Sequence, residues 1–303
     1  MNKRSIRAYK NNRNIQLLMT IIFFIIGILG VYFGRDYIIN KNNNINNCNG
    51  YLEVHYLDVD QGDAIYIKVN DYDILIDSGP KSQCEHLMSQ LRNLNIDDFE
   101  MVIATHPHED HIGGMLSVFN TYKVKAFYMP NVTNTTMAFE NMINAVARQG
   151  LKINEIKAGM KFNLGEGAKL EVFSPCEDDY ENLNDYSPIM KLIYGDNSFL
   201  FTGDAEKVAE EEVLDNYSHR ELEADILKYG HHGSSTSSEE ELIKAVSPKY
   251  GVISCGLDNN YGHPHRKVLK LIDKYDIETY RTDISGRITI ISDGKDITIK
   301  TEK

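Results

Sequence analysis

The chain has 303 residues, of which 42% are apolar and 25% are charged, and this composition is typical of a globular protein with one large or two small domains. Its formal net charge of −12 is unevenly distributed, because residues 1–50 carry seven basic side chains against Asp36 alone, so the remainder is near −18. So acidic a body disfavours tight nonspecific binding of long nucleic acid, which relies on Lys and Arg to neutralise phosphates.

The first predicted element is a membrane-spanning helix over residues 15–36. Residues 17–33 contain no charged side chain, and with Ile15 and Gln16 the run approaches the ~20 residues that such a helix needs. Five basic residues precede it, so residues 1–14 are predicted to be a cytoplasmic flank of a single-pass protein in the cell membrane, with the body outside. A cleaved signal peptide is the alternative, but no small-x-small cleavage pattern follows the run, which favours an uncleaved anchor.

An Asn-rich spacer separates this anchor from the folded body. Residues 37–50 are predicted to form a flexible tether because they offer little apolar surface to bury, and the folded domain is predicted over residues 51–303. The four cysteines form no CxxC pair, which excludes a zinc ribbon. An outside location permits disulfides, but Cys84, Cys176 and Cys255 are predicted to be free buried thiols.

Apolar runs and period-2 alternation predict β-strands in the body, and apolar spacing of three to four residues predicts helices. The predicted strands are three within 53–77, followed by 101–105, 125–129, 168–173, 189–194, 197–202, 225–229, 250–254 and a closing hairpin across Asp293-Gly294. The predicted helices lie around Leu87–Leu94, after Gly114, over 135–149 and 205–215, and near 239–246 and 266–275. The segment 176–187 is predicted to be a polar loop with a solvated charge run. Two β-rich halves with helices outside them predict an α/β fold, a four-layer αββα sandwich.

The densest group of potential metal ligands follows the predicted strand 101–105. Four of them stand within six residues: His106, His108, Asp110 and His111. Imidazole and carboxylate ligands at this spacing suit zinc, manganese or iron. Gly113 and Gly114 are predicted to let the chain turn tightly after them. The alternative is a solvated polar turn.

Carboxylates stand at three further strand ends. The turn 57–63 contains Asp58, Asp60 and Asp63 but lacks the rest of an EF-hand, so its carboxylates are either structural or support the site. Asp77 is predicted to accept a hydrogen bond from a liganding imidazole, with a plain turn as the alternative. Asp204 follows the apolar strand 197–202, and a carboxylate there is able to bridge two metal ions ~3.5–4 Å apart.

Four of the remaining seven histidines fall into two groups. His231 and His232 follow the strand 225–229, and His263 and His265 stand just before the helix near 266. His263 is predicted to contact the substrate or the site, whereas His265 is predicted to cap the helix. Three histidines outside these clusters are predicted to be structural or exposed: His55, His86 and His219.

These motifs, in this order, resemble the metallo-β-lactamase fold superfamily, and within it the hydrolase domain attached to ComEC-type DNA-internalisation proteins and its stand-alone relatives. The HxHxDH signature is followed by Gly113-Gly114, and the other matching stretches are LDVDQGD at 57–63, DSG at 77–79, FTGD at 201–204, LKYGHHGS at 227–234 and YGHPH at 261–265. The resemblance covers about residues 51–300. It implies the αββα fold and a site for two divalent metal ions, zinc or manganese.

The resemblance also implies a role for each ligand. His106 and His108 would hold the first metal ion, and Asp204 would bridge the two. Asp110, His111 and His231 would hold the second metal ion. The choice between His231 and His232 stays open at this point, with His231 favoured and His232 expected to face the substrate.

Three departures from the family pattern limit what carries over. Metallo-β-lactamases proper have a third histidine on the first metal ion, yet residues 112–203 contain no histidine, and the ComEC-like Asn/Ser segment stands there as residues 184–187. The first metal ion is therefore expected to be more open or more weakly held. Asp60 stands where the family usually has Gly, which affects the local turn. One anchor helix cannot form a DNA channel, so a role in competence does not carry over directly.

The function predicted from these residues is metal-dependent hydrolysis of phosphodiesters. Asp110 or Asp204 would orient the attacking water, and Lys228, His232 and His263 would stabilise charge or protonate the leaving oxygen. The candidate substrates are DNA and a smaller diester, such as the phosphocholine decoration of envelope polymers that some relatives cleave. The predicted partners are this substrate and the lipid bilayer through residues 15–36. The alternatives are hydrolysis of a lactam or thioester, and a membrane-tethered binding module without catalysis.

Overall fold

The computed structural model describes residues 50–303. Its β-strands are β1 Leu52–Tyr56, β2 Ile65–Val69, β3 Tyr72–Ile76, β4 Asp98–Phe99, β5 Met101–Ile103, β6 Lys123–Val124, β7 Phe127–Met129, β8 Ile153–Glu155, β9 Lys161–Asn163, β10 Ala168–Val172, β11 Met190–Tyr194, β12 Asn197–Phe201, β13 Ile226–Lys228, β14 Tyr250–Ile253, β15 Glu278–Arg281, β16 Ile288–Ser292 and β17 Ile297–Thr301. Its α-helices are α1 Cys84–Asn93, α2 Glu109–Ile112, α3 Met115–Thr121, α4 Met137–Arg148, α5 Lys207–Asn216, α6 His219–Leu222, α7 Glu240–Val246, α8 Arg266–Tyr275 and α9 Thr282–Ser285. Short 3₁₀ helices span Lys81–Gln83, Leu183–Tyr186 and Gly230–Gly233.

The strands form two large mixed sheets. The first has eight strands in the order β17-β16-β1-β2-β3-β5-β7-β8, and the second has seven in the order β15-β14-β13-β12-β11-β10-β9. Neighbouring strands from β3 to β8 in the first sheet are parallel, and so are those from β12 to β15 in the second. The pair β4 and β6 forms a small separate sheet. Both large sheets therefore have a set of strands whose carboxyl ends share one edge.

The main core lies between the two sheets. Ile65, Ile67 and Val69 of β2 belong to the same buried cluster as Phe199 and Phe201 of β12. Successive side chains of a strand point to opposite faces, so alternate residues of each sheet meet across this core.

The other face of each sheet packs against helices. Tyr66 of β2 clusters with Leu87 of α1 and Met142 of α4. Leu200 of β12 clusters with Val268 of α8 on the other sheet. The residues described thus form four layers, with helices outside each of two sheets and an apolar core between each pair of layers. The predicted α/β class is confirmed.

Most predicted elements are present, and the missed ones are short. The strands β8, β9 and β15 have three or four residues each and none that is fully buried, so they form no apolar run in the sequence. The segment 176–187 was predicted to be a polar loop, and its acidic run 177–179 is exposed. However, Asn184 and Ser187 are buried at its far end, since they pack under the loop that carries Asp204.

Close packing, and not the predicted tight turn, requires glycine at positions 113 and 114. Both have ordinary right-handed backbone angles, with φ of −59° and −83°. A Cβ atom on Gly113 would lie 2.3 Å from the backbone nitrogen of Lys81, and one on Gly114 would lie 2.4 Å from the carbonyl oxygen of Ser78. The pair therefore allows the start of α3 to pack directly against the backbone that follows β3.

Two other predictions concern the chain outside the sheets. Within residues 50–303 the structure contains no helix with the length and hydropathy needed to span a bilayer, and the predicted anchor over 15–36 lies outside the described residues. Cys84, Cys176 and Cys255 are free, as predicted. Only Cys255 is buried, because Cys84 and Cys176 are partly exposed.

Candidate metal centre

Polar side chains converge where parallel strands of the two sheets end. Asp77 follows β3 and His106 follows its neighbour β5. In the second sheet, Asp204 follows β12, His232 follows β13 and Ser254 follows β14. The carboxyl ends of parallel strands are the usual place for a binding site in α/β sheets. The sequence motifs therefore meet at one place because the strand order brings them there.

One carboxylate oxygen lies at the centre of this group. Oδ2 of Asp204 is 3.2 Å from Nε2 of His111, 3.5 Å from Nε2 of His232, 3.7 Å from Nε2 of His231 and 3.9 Å from Nε2 of His106. The side chain of Asp204 is only 2% exposed. Imidazoles from both halves of the chain therefore face a single buried carboxylate.

The two sides of Asp204 carry different ligand groups. On one side, Nε2 of His106 and Nδ1 of His108 lie 2.9 Å apart. On the other side, Oδ2 of Asp110 lies 3.3 Å from Nε2 of His232 and 4.0 Å from Nε2 of His111. The predicted ligands of the histidine loop are therefore in contact with each other.

His231 and His232 differ sharply in burial and contacts. The side chain of His232 is 1% exposed, and its Nε2 belongs to a group of ligand atoms, with Asp110, His111 and Asp204, that all lie within 4.8 Å of one another. The side chain of His231 is 25% exposed, and its Nδ1 lies 3.1 Å from the carboxylate of Glu206 at the edge of the site. The geometry thus favours His232 over His231 as a ligand, although the sequence favoured His231.

Comparison with known proteins agrees with this site. Residues 57–257 match the family described as the metallo-beta-lactamase superfamily. The chain belongs to this superfamily. ComE operon protein 3 of Bacillus subtilis is 32% identical over 254 residues, which cover 78% of this chain and 32% of that protein. Recombination protein 2 of Haemophilus influenzae is 29% identical over 243 residues, which cover 78% of this chain and 28% of that protein. This superfamily member thus spans about a third of the length of the curated relatives that it matches.

Solved structures share the fold at low sequence identity. YhfI of Bacillus subtilis, a metallo-beta-lactamase fold protein, is 12% identical with a TM-score of 0.53, covering 82% of this chain and 100% of that one. CmlA, a diiron beta-hydroxylase from Streptomyces venezuelae, is 14% identical with a TM-score of 0.52, covering 78% of this chain and 53% of that one. These similarities concern the superfamily fold alone.

The donor set of this superfamily member fits divalent metal ions. Within the described residues, Oδ1 of Asp204 is buried without a hydrogen-bond partner. Buried polar atoms normally have one, so this atom is available to a ligand. Imidazole nitrogens and carboxylate oxygens are donors that zinc and manganese both accept. Superfamily members typically bind two divalent ions, and Asp110, His111, Asp204 and His232 form a group of ligand atoms close enough to hold one of them.

The charges of the cluster lead to the same conclusion. Burial lowers the pKa of His111, but Asp204, Asp77 and Asp110 outweigh burial and hold that pKa well above its usual value. Burial likewise opposes the charge on His232, yet Asp204 and the other carboxylates raise its pKa to about 9. The carboxylates therefore favour positive charge within the cluster. A bound divalent ion would supply that charge in place of the protons on His111 and His232.

A second layer of hydrogen bonds orients the ligands. Nδ1 of His111 donates to Oδ2 of Asp77 at 2.8 Å, which leaves Nε2 for the cluster. The backbone nitrogen and the hydroxyl of Thr105 also donate to Asp77, at 2.8 and 2.7 Å. Nδ1 of His232 donates to the carbonyl of Ser254 at 3.0 Å. Such partners fix the tautomer of a liganding histidine, and the role predicted for Asp77 is confirmed as a hydrogen bond.

Lys228, which is predicted to stabilise charge or protonate the leaving oxygen, lies behind the cluster and does not line the cavity. It is fully buried at the end of β13, because its Nζ forms an ion pair with Oδ2 of Asp63 and donates to the carbonyl of Gly203 at 3.2 Å. Oδ1 of Asp63 lies 3.5 Å from Nδ1 of His232. Lys228 therefore acts on the cluster through Asp63. In the turn 57–63, Asp63 was one of three carboxylates, and the sequence did not single it out.

Asp60 replaces the usual family glycine without disrupting that turn. Its φ of 61° is in the left-handed region, where glycine is free of strain and aspartate is among the tolerated residues. A Cβ on Gly62 would lie 2.3 Å from the carbonyl oxygen of Asp110, so the turn packs directly against the histidine loop. Asp60 is thus accommodated in the left-handed conformation of this turn.

The segment at 184–187 packs against the loop that carries Asp204. Oγ of Ser187 accepts from the backbone nitrogen of Asp204 at 3.1 Å and lies 3.3 Å from Nδ1 of His106. Nδ2 of Asn184 donates to Glu206 at 3.0 Å, whereas Oδ1 of Asn184 is buried without a hydrogen-bond partner among the described residues. Asn184 also lines the cavity that the ligands adjoin.

The ligands form the floor of a cavity of about 410 Å³. Its walls include Gln61, Glu109, Asn134, Tyr261 and His263, and none of the described residues that line it is a lysine or an arginine. Positive charge in this cavity can therefore come from a bound ion or from the imidazole of His232, whose pKa is raised to about 9.

His263 lines the cavity as predicted. Its Nδ1 lies 3.3 Å from Nε2 of Gln61, and its ring lies 6.1 Å from that of His232. Burial, followed by the neighbouring His232 and His231, lowers the pKa of His263 to about 4. At pH 7 its imidazole is neutral, so hydrogen bonding to a substrate oxygen suits it better than transfer of a proton from the charged form. His265 immediately precedes α8 but its side chain makes no capping hydrogen bond, because its Nδ1 accepts from the backbone nitrogen of Ser235 at 2.9 Å.

Proposed function

We propose that this protein is a metallohydrolase that cleaves phosphodiesters with two divalent metal ions. The observation that carries the proposal is the position of Asp204, whose Oδ2 lies within 4 Å of imidazole nitrogens from both halves of the chain. A carboxylate in that position is suited to bridging two metal ions.

The proposed ligands are chosen from the distances. His106 and His108 would hold one ion, with Asn184 lining the same cavity. Asp110, His111 and His232 would hold the other, and Asp204 would contribute to both. When bound, two divalent ions lower the pKa of a water molecule towards neutrality and neutralise the oxygens of a phosphate.

The protein's own residues orient the reactants. The side chain of Asp110 is 33% exposed to the cavity, so its carboxylate is placed to accept a hydrogen bond from the attacking water. The neutral imidazole of His263 is placed to donate a hydrogen bond to a substrate oxygen. The ion pair of Lys228 with Asp63 keeps His232 in place from behind. Each of these roles suits a tetrahedral phosphate that carries one negative charge.

Two observations favour phosphodiesters over lactams or thioesters. The first metal position lacks the third histidine that lactamases use, and Asn184 and Ser187 stand there. The relatives ComE operon protein 3 and Competence protein ComA of Neisseria gonorrhoeae carry names that refer to competence, which supports DNA as one candidate substrate. A small envelope-linked diester is the other. The intact ligand cluster argues against a module without catalysis.

The proposed location is the outer side of the cell membrane, with residues 15–36 as a single anchor. The support is the uncharged run 17–33 and the five basic residues before it. The full chain is expected in the membrane fraction, with its carboxyl terminus digested by protease added to intact spheroplasts. Recovery of the full chain in the soluble fraction, or protection from the protease, would contradict the anchor.

The activity is tested with the full chain in detergent. Hydrolysis of bis-p-nitrophenyl phosphate, single-stranded DNA and nitrocefin is measured with added manganese or zinc, for the wild type and for Asp204→Ala. We expect the wild type to hydrolyse the diesters and Asp204→Ala to hydrolyse them at least 100-fold more slowly. His86→Ala, which changes an exposed histidine outside the ligand cluster, should keep the wild-type rate. Cleavage of nitrocefin alone would support the lactam alternative, and no turnover with less than one bound metal ion would contradict an enzyme.

A further inference from the structure

An exposed aromatic ring stands at the mouth of the cavity. Tyr261 lines this cavity, yet 66% of its surface is exposed. Its ring is stacked on that of His263, with centroids 5.6 Å apart and planes inclined by 20°. The ring of His263 lies 5.5 Å from that of His231. Aromatic rings therefore lead from the ligand cluster to solvent and end in an open face of tyrosine.

The loop that carries this ring is held by side chains. Oδ1 of Asn259 accepts from the backbone nitrogens of Tyr261 and His263, at 3.2 and 3.0 Å. Nδ2 of Asn259 donates to the carbonyls of Gly256 and His263, at 2.9 and 2.7 Å. Nε2 of His265 lies 3.0 Å from the carbonyl of Tyr261. The loop thus fixes the backbone on both sides of Tyr261 while its ring stays exposed.

Two other exposed apolar side chains neighbour the cavity lining in sequence. Met137 is 67% exposed and follows Thr136, which lines the cavity on the opposite half of the chain. Leu257, also 67% exposed, belongs to the loop that presents Tyr261. Neither lines the cavity, so Tyr261 is the exposed apolar surface that the cavity itself offers.

The charge of the cavity restricts what that ligand can be. Among the described residues, its lining offers the carboxylates of Glu109, Asp110 and Asp204 and no lysine or arginine. A strand of phosphates would gain little from such walls, because backbone binding depends on cationic side chains. Stacking on an aromatic face needs no charge, and every nucleobase has a face that stacks.

We propose that Tyr261 is a stacking surface for a planar ring adjacent to the scissile phosphate, so that this site selects nucleoside phosphodiesters over ring-free diesters. The inference rests on the proposed phosphodiesterase activity and identifies the base as the part of the substrate that provides affinity. Metal ions would bind the phosphate at the floor of the cavity, and Tyr261 would bind a base at its mouth. The preferred form is single-stranded, since the base has to leave its own stack.

The first experiment measures binding and needs no turnover. Thymidine 5′-monophosphate and 2-deoxyribose 5-phosphate carry the same phosphate and sugar, and only the first has a base. Calorimetry with the manganese-loaded full chain is expected to show at least fivefold tighter binding of the thymidine compound. Tyr261→Ala should lose that preference, Tyr261→Phe should keep it, and Tyr51→Ala serves as a matched control because Tyr51 is 65% exposed and does not line the cavity. An unchanged preference in Tyr261→Ala would overturn the proposal.

The second experiment measures hydrolysis of a thymidine hexanucleotide and of an abasic strand of equal length and charge. We expect Tyr261→Ala to raise KM for the first about fivefold or more, with kcat within twofold, and to leave KM for the abasic strand unchanged. Equal effects on both strands would contradict base stacking. If the wild type binds the thymidine compound through Tyr261 but cleaves neither strand, the proposed hydrolysis is wrong and the stacking surface stands.

Discussion

At the scale of single residues, the two adjacent histidines 231 and 232 explain what a motif can and cannot specify. Both have left-handed backbone angles, with φ of 48° and 56°. Such angles are uncommon outside glycine, and they are often retained at functional sites. The two left-handed residues turn the chain so that His232 points inward and His231 towards Glu206. The sequence predicted that one of them binds metal, but the choice depends on this backbone turn.

The metal content of two variants tests that choice. His232→Ala removes a buried nitrogen from the cluster, so the variant is expected to lose at least half of its bound manganese and most of its activity. His231→Ala removes a partly exposed ring and is expected to keep two ions per chain, with activity within about tenfold of the wild type. Elemental analysis after dialysis provides the measurement. Normal metal content in His232→Ala, with loss in His231→Ala, would show that the sequence preference was right.

The buried ion pair between Lys228 and Asp63 leads to a prediction about stability. Removal of one partner of such a pair leaves a charge buried alone, which typically costs ~3–5 kcal/mol. Lys228→Met is therefore expected to lower the free energy of unfolding by about that amount. The double variant Lys228→Met with Asp63→Asn should recover part of the loss, since the unpaired carboxylate is gone.

The variants are compared by urea unfolding, and an exposed ion pair of the same protein provides the control. Lys244 forms an exposed pair with Glu240, with 48% and 32% of the two side chains exposed. An exposed pair of this kind contributes ~0–1 kcal/mol, so Lys244→Met should unfold close to the wild type. Equal losses for Lys228→Met and Lys244→Met would contradict the special role of the buried pair.

At the scale of elements, most strands could be predicted because they have buried apolar residues, whereas β8, β9 and β15 have none that is fully buried. The αββα order followed from the alternation of strands and helices. The sequence could not provide the strand order, nor could it reveal that Asn184 and Ser187 are buried beneath Asp204. Those facts depend on contacts between segments far apart in the chain, and no local period reports them.

Close packing at the start of α3 leads to a prediction about Gly114. A Cβ atom there would lie 2.4 Å from the carbonyl oxygen of Ser78, which belongs to the backbone and cannot rotate away. Gly114→Ala is therefore expected to destabilise the fold by ~2 kcal/mol or more and to lower metal affinity. Gly150→Ala is the control, because Gly150 has φ of 68° but no atom within 4 Å of an added Cβ. It should lose only ~1–2 kcal/mol and keep normal metal affinity, and equal metal affinity in both variants would contradict the packing argument.

The contact between α5 and α7 depends on one buried carboxyl group. Glu210 of α5 accepts hydrogen bonds from the backbone nitrogens of Ser238 and Glu239, just before α7. Burial raises the pKa of Glu210 from 4.5 to about 8, with Glu239 adding to this effect and the two backbone donors and Lys267 opposing it. A carboxyl group whose pKa is higher in the folded protein stabilises the fold most below its unfolded pKa, and the contribution is lost as the pH rises towards 8.

The pH dependence of unfolding tests this sign. The free energy of unfolding of the wild type should fall between pH 5 and pH 9 more steeply than that of Glu210→Gln, which cannot titrate. The gap between the two curves should change by about 4 kcal/mol over that range, since nearly three units of the pKa shift fall within it and one unit corresponds to ~1.4 kcal/mol. Parallel curves from urea unfolding would show that Glu210 keeps an ordinary pKa.

At the scale of the whole molecule, charge and metal binding are connected. The chain outside residues 1–50 is strongly acidic, and two carboxylates belong to the ligand cluster. We therefore expect divalent cations to lower the negative charge of the site as well as to complete its ligand cluster. Five of the 32 basic residues precede the uncharged run 17–33, and we propose that they lie on the cytoplasmic side of an anchor.

The most direct test of the dinuclear centre is the electron paramagnetic resonance spectrum of the full chain loaded with manganese. Two ions bridged by Asp204 should give an exchange-coupled spectrum at two ions per chain, and Asp204→Asn should convert it into the signal of isolated ions. A single uncoupled signal at one ion per chain in the wild type would contradict the account of this site.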